Sequence, residues 1–303
     1  MKARYICSIF VAIYIGFFCV AAAAQDLGPH FKKIAEGIFV GAAKPADSNA
    51  AIILTSEGVV LIDSGHNPPD SIALGQAIKK LTPLPVRYLI NTEPHSDHTT
   101  GHFVFSPPAL IIAHEGATES MKQAYNPKRN EKLMADYPEM REAFKGFKMI
   151  TPHIEYRQKM TLHLGERTFE LYYLKNVHSE ADTAIWLPKE RVLFSAAVAG
   201  IKRFSNIRPS TQIPDMISAM TMMKALNPEI VVPGHGAPGT TKIFDDSIQY
   251  YSLLLDRVGK MAKEGKSLEL MKKELRMPET DDWASKERID TNIEAAYRAV
   301  AGK

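Results

Sequence analysis

Cysteine is all but missing from this chain of 303 residues. The two present, Cys7 and Cys19, both fall in one apolar stretch at the N-terminus. Downstream of it no disulfide can form and no thiolate can reach a metal. A strong charge bias is missing too: 37 Lys and Arg stand against 34 Asp and Glu, a net charge of +3. Lys2 and Arg4 belong to that same N-terminal stretch, which leaves the remainder near neutral. No basic stripe accompanies the sequence pI of about 8.6, so a nucleic-acid partner is not expected. Internal repeats, low-complexity tracts and breaks in composition are also lacking, which favours one α/β domain with ample material for a core.

The N-terminus reads as an export signal. Lys2 and Arg4 precede an almost wholly apolar run from Ile6 to Val20, and Ala22, Ala23 and Ala24 lead into Gln25. A basic start, a short apolar centre and small residues at the exit describe a cleavable secretory signal peptide over 1–24. The run is short for a retained membrane anchor. Phe17 and Phe18 put bulky rings where lipidation at Cys19 would need small side chains. The expectation is a periplasmic or secreted protein made of residues 25–303, with no stable membrane insertion after signal cleavage; the oligomeric state is left open.

Periodicity supplies the elements. Strands are expected at Ile34–Ala42, Asn49–Thr55 and Gly58–Asp63, and an amphipathic helix at Asp70–Leu81. A strand at Val86–Ile90 and another at Ala109–His114 follow. Residues Gly116 to Gly146 read as mostly helical, interrupted near Asn126-Pro127. Strands return at Ile154–Tyr156, Met160–Leu164, Phe169–Leu174, Ala184–Leu187 and Arg191–Ser195. A helix at Asp215–Leu226 and a short strand at Glu229–Val232 precede helices at Ile243–Lys263, Leu268–Leu275 and Lys286–Ala301. Residues 242–303 thus form a helical C-terminal extension.

One stretch concentrates chemistry: Asn91-Thr92-Glu93-Pro94-His95-Ser96-Asp97-His98-Thr99-Thr100-Gly101-His102. Glu93, His95, Asp97 and His98 are four metal-ligating types within six residues, at the C-terminal end of a strand. Alternate residues of an extended segment share a side, which lets Glu93, His95 and Asp97 converge, with His98 at the turn. Imidazole with carboxylate suits Zn²⁺ and its first-row neighbours rather than calcium. His178 follows the strand ending at Leu174, and His235, in Pro233-Gly234-His235-Gly236, follows Val231-Val232. Both stand at strand ends, where α/β sheets place their sites.

Together these segments resemble the metallo-β-lactamase-fold hydrolase superfamily, over about Ile34 to Gly236. The family pattern is a strand-end Asp-x-Gly (Asp63-Ser64-Gly65), an H-x-H-x-D-H loop (93–98), a later His (His178), an acid after Leu-Phe (Leu193-Phe194) and a final Gly-His (Gly234-His235). The resemblance implies a four-layer αβ/βα sandwich and one or two Zn²⁺ ions per chain. One ion would use Glu93, His95 and His178; the other would use Asp97, His98 and His235, with Asp63 orienting the ligand loop from behind. Two positions depart from the pattern: Glu93 replaces the first histidine, and Ala197 stands where a bridging aspartate is usual.

The implied activity is hydrolysis of a C–N, C–O or C–S acyl bond (lactam, lactone, ester or thioester) in a small-molecule substrate. A water acidified by the metal would attack, positioned by the catalytic carboxylate Asp97. A β-lactamase closest to the cysteine-free, B3-like subclass with Glu in place of the first His is one specific alternative. A non-catalytic metal-binding or quinoprotein-associated accessory protein is another, motivated by Glu93 and Ala197. His66, His102, Arg203 and Arg208 are flanking groups able to meet substrate or simply to face solvent. Whether residues 116–146 form a lid is not legible.

Overall fold

The apolar runs pair into two sheets, and three hydrophobic cores separate four layers. The computed structural model describes residues 27–28, 30–42, 48–175 and 177–302. The segment 1–24 and both cysteines lie outside the described residues. The chain opens with β1 (Phe31–Ala35), β2 (Ile38–Ala42), β3 (Asn49–Thr55) and β4 (Gly58–Ile62). Helix α1 (Pro68–Leu81), β5 (Val86–Ile90), the single turns α2 (Ser96–Thr99) and α3 (His102–Phe105), and β6 (Leu110–His114) follow. Next come α4 (Ala117–Ala124), α5 (Pro127–Asp136) and β7 (Ile154–Tyr156). These seven strands form one sheet in sequence order.

The second half supplies β8 (Lys159–Leu164), β9 (Arg167–Tyr173), β10 (Thr183–Leu187), β11 (Val192–Phe194), α6 (Ile213–Ala225) and β12 (Ile230–Val232). It closes with α7 (Lys242–Lys263), α8 (Leu268–Glu274) and α9 (Ile289–Ala301). Its sheet runs β12-β11-β10-β9-β8.

Strands buried on both faces read as continuous apolar runs rather than alternating ones. Accordingly all five residues of β4 and all five of β10 are buried. One core lies between α1 with α3 and the first sheet, around Leu74, Leu89 and Ile111. A second joins the two sheets through Ile53, Ile90, Phe169 and Leu187. The third packs the second sheet against α6, α7 and α9 through Leu193, Met220, Phe244 and Ile293. The layers are therefore helix, sheet, sheet, helix. Residues 242–302 are not an appendage: α7 buries Phe244, Tyr251 and Leu254 as part of the outer layer. Among the described residues no helix is long and apolar enough to cross a membrane.

Two local readings need correcting. The run Ile34–Ala42 is not one strand; the chain reverses at Glu36-Gly37, where Gly37 takes φ +67°, and β1 pairs antiparallel with β2. A positive φ of this kind suits glycine and marks the turn. The run Lys286–Ala301 begins with a 3₁₀ turn at Lys286–Arg288, and α9 starts only at Ile289.

Register positions the site. Strands β4, β5 and β6 are parallel, with Ile62 opposite Ile90 and Ile90 opposite Ile112. Their C-terminal ends are therefore level, and Asp63 comes to lie beside Asn91 and Thr92.

Candidate metal centre

The ligand loop leaves β5 at Asn91 and is extended only as far as His95 (φ −66°, ψ 153°). It then enters the helical turn α2. This corrects the reading of Glu93, His95 and Asp97 as alternate residues of one extended segment. Glu93 and His95 project from the irregular loop before the turn, whereas Asp97 and His98 come from the helical turn itself. They still converge.

Glu93 Oε2 is in close contact with His95 Nδ1 and lies 3.2 Å from His178 Nε2. His98 Nε2 stands 3.2 Å from Glu93 Oε1, 3.6 Å from Asp97 Oδ2 and 3.4 Å from His235 Nε2. His235 Nε2 is 3.3 Å from Asp97 Oδ2. All six residues read as ligands from the sequence thus meet in one place. In both of the groups Glu93-His95-His178 and Glu93-His98-His235, the donor atoms lie within 4.8 Å of one another. Asp97 stands beside the second group.

The imidazoles are aimed from behind. Asp63, with φ +56° at the end of β4, accepts from the Thr92 N–H at 2.8 Å, the Thr92 hydroxyl at 2.5 Å and His98 Nδ1 at 2.9 Å. Asp63 thus touches His98 rather than the cavity. His178 Nδ1 lies 3.0 Å from the Asn206 carbonyl oxygen, which only accepts, so Nδ1 carries the proton. In both rings Nδ1 is engaged by an outer partner and Nε2 faces inward, the orientation that outer partners impose on ligating histidines. Asp182, fully buried, accepts from the backbone N–H groups of His178 and Ser179 and from the Ser179 hydroxyl, and so fixes the His178 loop.

The His235 loop is held by Asn49, whose side-chain amide donates to the carbonyls of Pro233 and Gly236, both at 2.7 Å. Gly234 lies directly on the backbone of Ala196 and Ala197; a Cβ there would come within 2.9 Å of it. Gly101 is equally constrained, for a Cβ would fall 2.6 Å from the Ser64 carbonyl oxygen.

Electrostatics favour a cation. Burial alone would lower the His98 pKa, but Glu93, Asp63 and Asp97 push it up to about 10. Burial alone would raise the Glu93 carboxyl; His98, His178 and His95 hold it well below the usual carboxylate range. Imidazole nitrogens and carboxylate oxygens converging on one point, where positive charge is already favoured, fit a divalent first-row metal. Glu93 Oε1, buried and without a hydrogen bond, fits it further.

A cavity of about 460 Å³ opens on these groups. Its wall includes Ala197, Arg203, Arg208 and Arg288 beside the ligands. Among the described residues none between 116 and 146 lines it. Helices α4 and α5 pack instead on the far side of the ligand loop, where Arg129 donates to the Ser96 hydroxyl. His66 is more than half buried and His102 is wholly so; burial lowers the pKa of both, to about 4 for His102. Asn49, Asn206 and Arg288 were not legible as site residues. For Asn49 the one signal is a polar residue opening a strand that is otherwise apolar.

Comparison with known proteins agrees with this geometry. The Metallo-beta-lactamase superfamily profile matches residues 43–235, and the chain belongs to that family. A Metallo-beta-lactamase type 2 from Bacillus sp. (strain 170) is 26% identical over 67% of this chain and 71% of its own length. The 2,4-dinitroanisole O-demethylase subunit alpha of Nocardioides sp. (strain JS1661) is 26% identical over 59% of this chain. The match spans about half of that relative's length (49%). Among solved structures, the stereoselective inverting sec-alkylsulfatase Pisa1 from Pseudomonas sp. superposes with a TM-score of 0.69 at 15% identity. It covers 88% of this chain and 49% of its own, a likeness of fold.

Proposed function

We propose that the protein is a zinc-dependent hydrolase that cleaves a C–N, C–O or C–S acyl bond in a small, anionic substrate. The observation that carries this reading is the convergence of four imidazoles and two carboxylates on one open cavity. Zinc bound there would polarise a carbonyl and acidify a water. The protein's own part is orientation. Asp97, partly exposed in the cavity wall, would hold the attacking water and accept its proton. Asp63, Asn206 and Asp182 keep His98 and His178 in register. Arg203, Arg208 and Arg288 give the opposite wall a positive character suited to a substrate carboxylate or similar anion.

A β-lactam is one substrate of this description, and the similarity to a type 2 metallo-β-lactamase supports testing it first. The basic, apolar, alanine-ended N-terminus supports export to the periplasm or beyond. The test is elemental analysis of the purified protein alongside a panel of β-lactams, lactones and thioesters. Zinc, with turnover abolished in His178→Ala, is expected. Full zinc without turnover of any panel member would move the search to other small molecules, and no metal uptake with no turnover would refute the hydrolase and leave the accessory protein that Glu93 and Ala197 motivate.

A further inference from the structure

Glu93 and Ala197 look like two separate losses, a missing histidine and a missing bridging acid. The structure joins them. A histidine offers one lone pair to one ion, whereas a carboxylate has two oxygens, and those of Glu93 face different ligands. Oε2 is turned to His95 and His178, with His178 Nε2 at 3.2 Å; Oε1 is turned to His98 Nε2, also at 3.2 Å. Both potential ligand triads share one residue, Glu93. Its side chain is 1% exposed, and Oε1 accepts no hydrogen bond. A buried carboxylate oxygen without a hydrogen bond is costly, and the polar atom it faces, His98 Nε2, belongs to a ring whose Nδ1 is already engaged by Asp63. Ala197 contributes only a methyl group to the same cavity wall.

We propose that Glu93 bridges two divalent cations, one on each oxygen, and so supplies from the ligand loop the shared carboxylate that position 197 lacks. His95 and His178 complete one side; His98, His235 and Asp97 complete the other. Two ions in such a site stand roughly 3.5–4 Å apart, a spacing that a single carboxylate spans. The proposal rests on the metal-dependent reading above but is tested without turnover.

The experiment titrates metal-free protein with Zn²⁺ against a chromogenic chelator, for wild type, Glu93→Gln and Glu93→His. Zinc-edge X-ray absorption of the loaded samples accompanies it, with circular dichroism to verify folding. Wild type should take two zinc ions and show a metal–metal vector. Glu93→His restores the usual family residue, yet it should keep one tight ion and bind the second at least ~100-fold more weakly, beyond what loss of an outer partner costs. Glu93→Gln should likewise lose the metal–metal vector. Two equally tight ions in Glu93→His would overturn the bridge. One tight ion in wild type would also overturn it while leaving the hydrolase intact; none would overturn both. If neither variant folds, a zinc-loaded crystal structure of the wild type decides. One Glu93 oxygen on each ion upholds the bridge, and both oxygens on one ion reject it.

Discussion

Residues 91–102 and residues 116–146 lie close in sequence and touch through Arg129 and Ser96, yet they are built in opposite ways. In the first stretch Asn91, Glu93, His98 and His102 are each no more than 2% exposed, and each holds at least one polar contact inside the fold. In the second, α4 buries only Ala117 and Met121, and α5 buries nothing. The chemistry is thus carried by polar groups locked inside the fold, and the adjoining helices are a loosely attached buttress. Substitutions should be costly in the first stretch and cheap in the second, and that contrast can be broken or sharpened by measurement.

The largest effect is expected from Asp63→Ala, which strands His98 and Thr92 inside the protein. Breaking a buried ionic pair costs roughly 3–5 kcal/mol, read as a fall in urea unfolding free energy. A cost under about 1 kcal/mol would mean the network does not hold the loop. Next is Gly101→Ala, whose added methyl meets the Ser64 carbonyl oxygen and the Ser71 hydroxyl. Overpacking of this kind costs about 1–3 kcal/mol, and a neutral result would show that α1 can move away from the loop.

The third test uses pH. Burial lowers the pKa of His102 to about 4, below the ordinary value of 6.5. The unfolded chain therefore takes up the proton first. The stability contributed by neutral His102 is complete above pH 6.5 and is lost as pH falls toward 4, by about 2 kcal/mol at pH 5. Burial raises Asp70 to about 6, which acts in the opposite sense, costing stability as pH rises from about 4 to 6. The wild type and His102→Gln should therefore be compared at pH 5 and 7.5. The stability gap between them should change in favour of the variant at pH 5, and a gap unchanged with pH would contradict the assignment. The smallest effect belongs to Arg129→Ala, which cuts the half-buried tie between the two stretches. Within about 0.5 kcal/mol of wild type is expected, and a multi-kilocalorie loss would make the helices structural rather than peripheral.

Most strand positions and the six residues that converge were legible because each leaves a local mark, whereas the layer order followed from the family resemblance. An apolar run ends in a cluster of ligating side chains, or in Gly-His. The hairpin at Glu36-Gly37 was hidden because a two-residue turn carries only one glycine as signal. The helical turn at Ser96 was hidden because the ligand types sit two apart, as in a strand. Asn49 leaves only a polar residue at the start of an apolar strand, and Arg288 leaves no mark. Asn49 grips a loop more than 180 positions away, and Arg288 reaches the cavity only through the docking of α9. Neither relation has a local period.

That last placement bears on how the protein can be shortened. The family match ends at residue 235, which invites trimming the helices beyond it. Yet Arg288 borders the cavity and donates to the Phe204 carbonyl, while Asn292 donates to that of Ser205. A chain cut after residue 241 would keep Glu93, His95, Asp97, His98, His178 and His235 but lose one wall of the cavity they face and, with α7 and α9, the outer layer of one core. Trimming to the matched span would therefore remove part of the fold itself, not only a border of the cavity.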